Sequence, residues 1–154
     1  MNRSTSTLIK IINNFKPFNE DNSVDDHESF FYDITDELYA NADGKIAISA
    51  VIKLIERYPN ADFGSPGPLV HWLEKYPHQY ESILYDSIKK CPVPLTIWML
   101  NRIINAERDN LHYAILINLL TEVSEKEHVH QSAKDMAVQC LAYQNTVRDK
   151  FSTK

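Results

Sequence analysis

Glycine is scarce, with three residues in a chain of 154. Neither GxxxxGK[ST] nor GxGxxG occurs, which excludes the phosphate-cradling loops that depend on several glycines in register. HExxH and GxSxG are missing too. Gly64 and Gly67 stand close together, but Pro66 and Pro68 flank them and remove backbone donors. That string reads as a rigid loop positioning a helix start. Cysteine is limited to Cys91 and Cys140, far apart and without a CxxC. Each sits among apolar neighbours, so both are expected as buried free thiols behaving as small hydrophobes; a bridge between them stays open. No run approaches the roughly 18 apolar residues of a membrane span. No secretory signal is visible, since Lys10 and Asn13 interrupt the apolar stretch after Thr7. A cytoplasmic protein with no membrane partner is expected.

Positive charge is missing from one long stretch. No Lys or Arg occurs between Lys16 and Lys45, while that stretch holds nine acids: Glu20, Asp21, Asp25, Asp26, Glu28, Asp33, Asp36, Glu37 and Asp43. The net charge is −5, so the remainder of the chain is basic on balance. An acidic segment repels nucleic-acid phosphates and favours a partner with a basic surface.

What is present is helical periodicity, with almost no strand-like alternation. Ser4 or Ser6 is placed to cap a first helix carrying Leu8, Ile11 and Ile12 and ending before Pro17. After a polar loop over Asn19–Val24, Asp25 or Asp26 opens a second helix through Ala40. Its apolar face is Phe30, Phe31, Ile34 and Leu38. At 100° per residue Asp26, Asp33 and Glu37 fall opposite, flanked by Asp25 and Asp36. The turn Asn41–Gly44 leads to a third helix over Lys45–Tyr58, stopped by Pro59. A fourth spans about Pro66–Tyr76 and a fifth about His78–Lys90. The sixth, about Pro94–Asn105, is apolar nearly all round and is expected at the centre of the domain. The seventh, Asp109–Ser124, points Leu111, Ile115, Leu116, Leu119, Leu120 and Val123 inward. The eighth starts near Val129 and carries Ala133, Met136, Ala137, Cys140 and Leu141, with the tail after Phe151 loose. Ile55–Pro59 is echoed by Leu73–Pro77 at a spacing of one helix plus its loop. The expected fold is all-α: one irregular antiparallel domain over 1–154, HEAT-like helix pairs or a bundle, with about eight helices.

Chemistry is hard to find in this pattern. His128 and His130 have ligand-like spacing but no cysteine nearby and no repeat, so solvated histidines are the simpler reading. His71 and His78 flank the fourth helix, and one of them is a candidate for a backbone hydrogen bond in the core. Nothing sets a base beside either cysteine. The carboxylates of the second helix lie opposite its apolar stripe, where charges are normally solvated. Paired acid/base catalysis is therefore disfavoured, and a solubility face or a protein-binding face remains. Asn101 and Arg102 interrupt the apolar sixth helix. Arg102 is spaced to stack on Trp98, and a buried polar network is expected there. No cofactor and no metal are expected.

Two strings carry a resemblance. Gly64-Ser65-Pro66-Gly67-Pro68-Leu69-Val70-His71-Trp72-Leu73-Glu74 and Thr96-Ile97-Trp98-Met99-Leu100-Asn101-Arg102-Ile103-Ile104-Asn105 resemble segments of small bacterial immunity-type proteins. Those proteins are encoded beside polymorphic or contact-dependent toxins. The resemblance covers about residues 45–110. It implies a helical protein without catalytic activity that binds and blocks a toxin domain, often a nuclease. The matching strings read as fold determinants, and the contact face is expected elsewhere, at Asp25, Asp26, Asp33, Asp36 and Glu37, with Tyr32 as an aromatic anchor. A HEAT-like adaptor or regulatory scaffold is the alternative.

Overall fold

The computed structural model describes residues 2–17 and 24–152, with side chains over 2–17 and 27–148. Among them are eight α-helices, one 3₁₀ turn and no strand. The chain divides into two compact units, Met1–Ile83 and Leu84–Lys154.

In the first unit, α1 (Thr5–Asn14) begins where expected: the Ser4 Oγ accepts the Thr7 N–H at 3.3 Å, filling one of the orphan donors at the helix start. Its far end is closed from outside. The Ile12 carbonyl accepts from Arg57 Nη2 at 2.8 Å, and the Phe15 carbonyl accepts from the Tyr58 hydroxyl at 2.8 Å. α2 (Val24–Ala40) buries Phe31, Ile34, Thr35 and Leu38. Thr35 enters the apolar face because its hydroxyl donates back to the Phe31 carbonyl at 2.8 Å. The loop expected over Asn19–Val24 lies outside the described residues, except that Val24 already opens α2.

The third helix starts later than expected. Gly44–Ala47 form a 3₁₀ turn, and α3 runs Ile48–Arg57. Gly44 has no room for a side chain: a Cβ there would stand 1.8 Å from the Leu38 carbonyl oxygen. Gly64 and Gly67 both take positive φ, 100° and 79°, and lead into α4 (Gly67–Glu74). α4 buries Leu69, Val70, Trp72 and Leu73 and packs on α2. Phe15, Phe31 and Phe63 meet with ring centroids 4.8 Å (Phe15–Phe31) and 5.6 Å (Phe31–Phe63) apart.

α5 (Glu81–Lys90) also begins later than the pattern suggests, because His78 adopts a positive φ of 67° and its N–H turns to the Glu81 carboxylate. Neither His71 nor His78 enters the core; both are exposed.

The second unit is built on α6 (Pro94–Ala106), α7 (Asn110–Glu125) and α8 (Gln131–Ser152), with α8 packed on both of the others. Residues 153 and 154 of the expected tail lie outside the described residues. α6 buries Ile97, Met99, Leu100, Asn101 and Ile104, yet Leu95, Trp98 and Ile103 are only half-buried. The Arg102 guanidinium roofs the Trp98 ring at 5.1 Å, as the i,i+4 spacing suggests. Asn101 belongs to a buried amide network through Gln144, 3% exposed, whose Nε2 donates to the Asn101 and Asn105 oxygens at 2.7 Å each.

Two expectations fail in this unit. Leu111 and Ile115 are 74% and 58% exposed. The apolar set of α7 is wider than the stripe one helix buries, and Leu116, Leu119, Leu120 and Val123 fill it. Cys91 is exposed, at the helix break before Pro92, while Cys140 is buried and both thiols are free.

Candidate protein-binding face

α2 sorts its residues as a helix packed on one side must. The buried row ends at Leu38, and Ser29, Tyr32, Asp33, Asp36, Tyr39 and Ala40 are exposed. Tyr32, Asp36 and Tyr39 stand at i, i+4 and i+7, so they form one line along the helix. The two phenols are 45% and 59% exposed. The side chains of Asp25 and Asp26 lie outside the described residues.

The remaining acids do not share one environment. Glu37 is clasped by Arg3: the guanidinium Nη2 meets Oε1 at 2.6 Å, and the Arg3 backbone N–H donates to Oε2 at 2.7 Å. The hydrogen bonds from Arg3 hold the Glu37 carboxyl below the usual carboxylate range. Nearby, Asn41 Nδ2 donates to the Arg3 carbonyl at 2.9 Å and the Thr5 hydroxyl donates to Asp43. These contacts fasten the start of α1 to the end of α2. The base-free stretch in sequence is thus partly compensated in space. Asp33 adds to the field around Arg3, and Asp36 has no ion-pair partner among the described residues.

Tyr39 and Lys75 were not singled out from sequence. The Lys75 ammonium lies 3.9 Å from the Tyr39 ring centroid. Burial pushes the neighbouring Tyr76 phenol up, and the field of Tyr39 adds to this. Tyr39 was findable, being one helical repeat beyond Tyr32; Lys75 comes from α4 and carries no sequence signal of the contact. Among the described residues, the resulting surface has two exposed rings, two carboxylates and one ammonium on helices whose opposite sides are buried. Rings cost little entropy to immobilise, and Tyr is enriched where binding energy concentrates.

Elsewhere, His128 and His130 are exposed just before α8. Among the described residues, no three His, Cys, Asp or Glu side chains come together as a metal site. No described helix is long and apolar enough to cross a membrane. No family model, curated protein or solved structure matches the chain.

Proposed function

We propose that this chain is a cytoplasmic immunity-type protein that binds and neutralises a cognate bacterial toxin domain, and that the exposed side of α2 is its contact face. The observation carrying the reading is the Tyr32–Asp36–Tyr39 line with Asp33 beside it, which combines anchoring rings with unneutralised acid. The resemblance of Gly64–Glu74 and Thr96–Asn105 to immunity-type proteins supports the toxin as partner. A basic toxin surface, such as that of a nuclease, would be steered toward these carboxylates, and steering of this kind raises association rates toward about 10⁸–10⁹ M⁻¹s⁻¹ at low salt. Inhibition then needs occupancy and no catalytic group.

Co-expression with the protein encoded next to it tests the reading. A stable complex with a toxin-like neighbour is expected, and no complex with any neighbour-encoded protein sinks it. A HEAT-like adaptor within a larger assembly is the second reading. It is favoured by the exposed Leu111 and Ile115 on α7, which no acidic-face model uses. It predicts a stable partner unrelated to any toxin.

A further inference from the structure

α2 already receives two cations from its own chain, and each makes one half of a recognition. At Glu37 a guanidinium is forked: Arg3 Nη2 donates to Oε1 at 2.6 Å, and Nε reaches both oxygens, at 3.1 and 3.2 Å. At Tyr39 a cation rests on a ring, with the Lys75 ammonium 3.9 Å from the centroid. Lys75 is the C-cap of α4, which packs on α2 and so brings the ammonium to its exposed side.

Asp36 has both surroundings within reach. Its exposed carboxylate stands one turn from each of two exposed rings, Tyr32 at i−4 and Tyr39 at i+3. Side chains at those spacings are about 5–6 Å apart at Cβ. Every lysine and arginine of the first unit is among the described residues, and none forms an ion pair with Asp36. Residues 18–26, whose side chains lie outside the described set, contain no lysine or arginine and so bring no base to it.

The arrangement selects a planar cation. A guanidinium forks onto a carboxylate and lays its face on an aromatic ring at the same time. An ammonium is a point charge and gives up one contact to make the other. Lys75 covers one of the rings, so an incoming guanidinium meets a like charge there. The Lys75–Tyr39 contact joins two exposed side chains, and its release costs little.

We propose that Asp36, Tyr32 and Tyr39 form a seat for one arginine side chain of the partner, with the guanidinium on the Asp36 carboxylate and its plane against the tyrosine rings, and that Lys75 fills part of this seat until the partner arrives. The inference rests on the reading of α2 as the contact face, and it names the group that face recognises.

The full chain, ¹³C-labelled at aspartate and tyrosine, is titrated at constant ionic strength with acetyl-Gly-Arg-Gly-amide and with the same peptide carrying lysine or citrulline. Saturable shifts of the Asp36 carboxyl and of the Tyr32 and Tyr39 rings are expected with the arginine peptide. The lysine peptide should bind more weakly. Citrulline, which keeps the planar shape without the charge, should not bind. Asp36→Asn should weaken arginine binding by about tenfold, and Lys75→Gln should tighten it severalfold. Both substituted side chains are exposed, so the fold is retained. No saturable shift with arginine, an equal response to lysine or citrulline, or undiminished affinity in Asp36→Asn overturns the proposal. Unchanged or weaker binding by Lys75→Gln overturns the part given to Lys75. The toxin reading fails separately. Arginine binding without any toxin-like partner leaves the seat standing, while a toxin complex insensitive to Asp36→Asn removes the seat and leaves the toxin.

Discussion

Arg3 closes on Glu37 with both its guanidinium and its backbone N–H, across 34 residues of sequence. The pair decides what the second helix can offer a partner, because it removes one acid from the exposed set and, among the described side chains, leaves Asp33 and Asp36. Glu37 ionises more readily in the folded chain than in the unfolded one, since Arg3 stabilises its charged form. The stabilisation is therefore complete above the unfolded carboxylate pKa of about 4.3 and disappears as pH falls through the lower folded value. Urea midpoints of the wild type and Glu37→Gln should differ at pH 7, and the difference should shrink as the pH falls below about 4.3 and Glu37 becomes protonated. A difference that stays constant with pH would contradict the pairing.

Among the described residues, Gln144 is satisfied through Asn101, Asn105 and Tyr113. Gln144→Leu leaves the Asn101 amide oxygen buried without its donor, at a cost of about 1–3 kcal/mol. Asn101→Leu combined with Gln144→Leu should recover part of that loss. Equilibrium denaturation of the two variants checks both signs.

Two leucines of α7 should behave oppositely. Leu120 is fully buried and Leu111 is 74% exposed. Leu120→Ala is expected to cost about 2–5 kcal/mol, and Leu111→Ala to stay within about 0.5 kcal/mol of the wild type. Equal losses would mean that Leu111 is covered in solution.

The two cysteines are expected to titrate separately with a thiol reagent. Cys91 is exposed, whereas burial pushes the Cys140 thiol up to about 11. One equivalent should react quickly in the native protein at pH 8, and the second only after denaturant is added. Two fast equivalents would show that the packing of α8 on its neighbouring helices does not bury Cys140.

Much of this was readable in the residues. Ser4 caps α1, prolines bound α4 and α6, and the i,i+4 spacing of Trp98 and Arg102 is a real stack. All of these are local, set by a few neighbouring residues. What escaped was not local. The Arg3–Glu37 clasp and the Lys75–Tyr39 contact join distant segments, so no spacing announces them. The late start of α5 follows from the positive φ of His78, a residue type that gives no warning of it. Leu111 and Ile115 fit the helical period as well as Leu119 does; which part of a wide apolar stripe is buried depends on the neighbour that covers it. In the candidate face, Asp33, Asp36 and Tyr32 are exposed on the expected helix, while Glu37 turned out to be held by Arg3.

If the proposed reading holds, binding through α2 is tested most directly with a toxin-like partner recovered from the neighbouring genes. Its affinity and association rate would be measured for the wild type and for Asp36→Lys combined with Tyr39→Ala. Both substituted side chains are exposed, so the fold should be retained. The expected result is a complex weakened by about tenfold or more, with slower association and a shallower salt dependence. An equally tight complex with an unchanged, salt-insensitive association rate would contradict the assignment of α2 as the contact face.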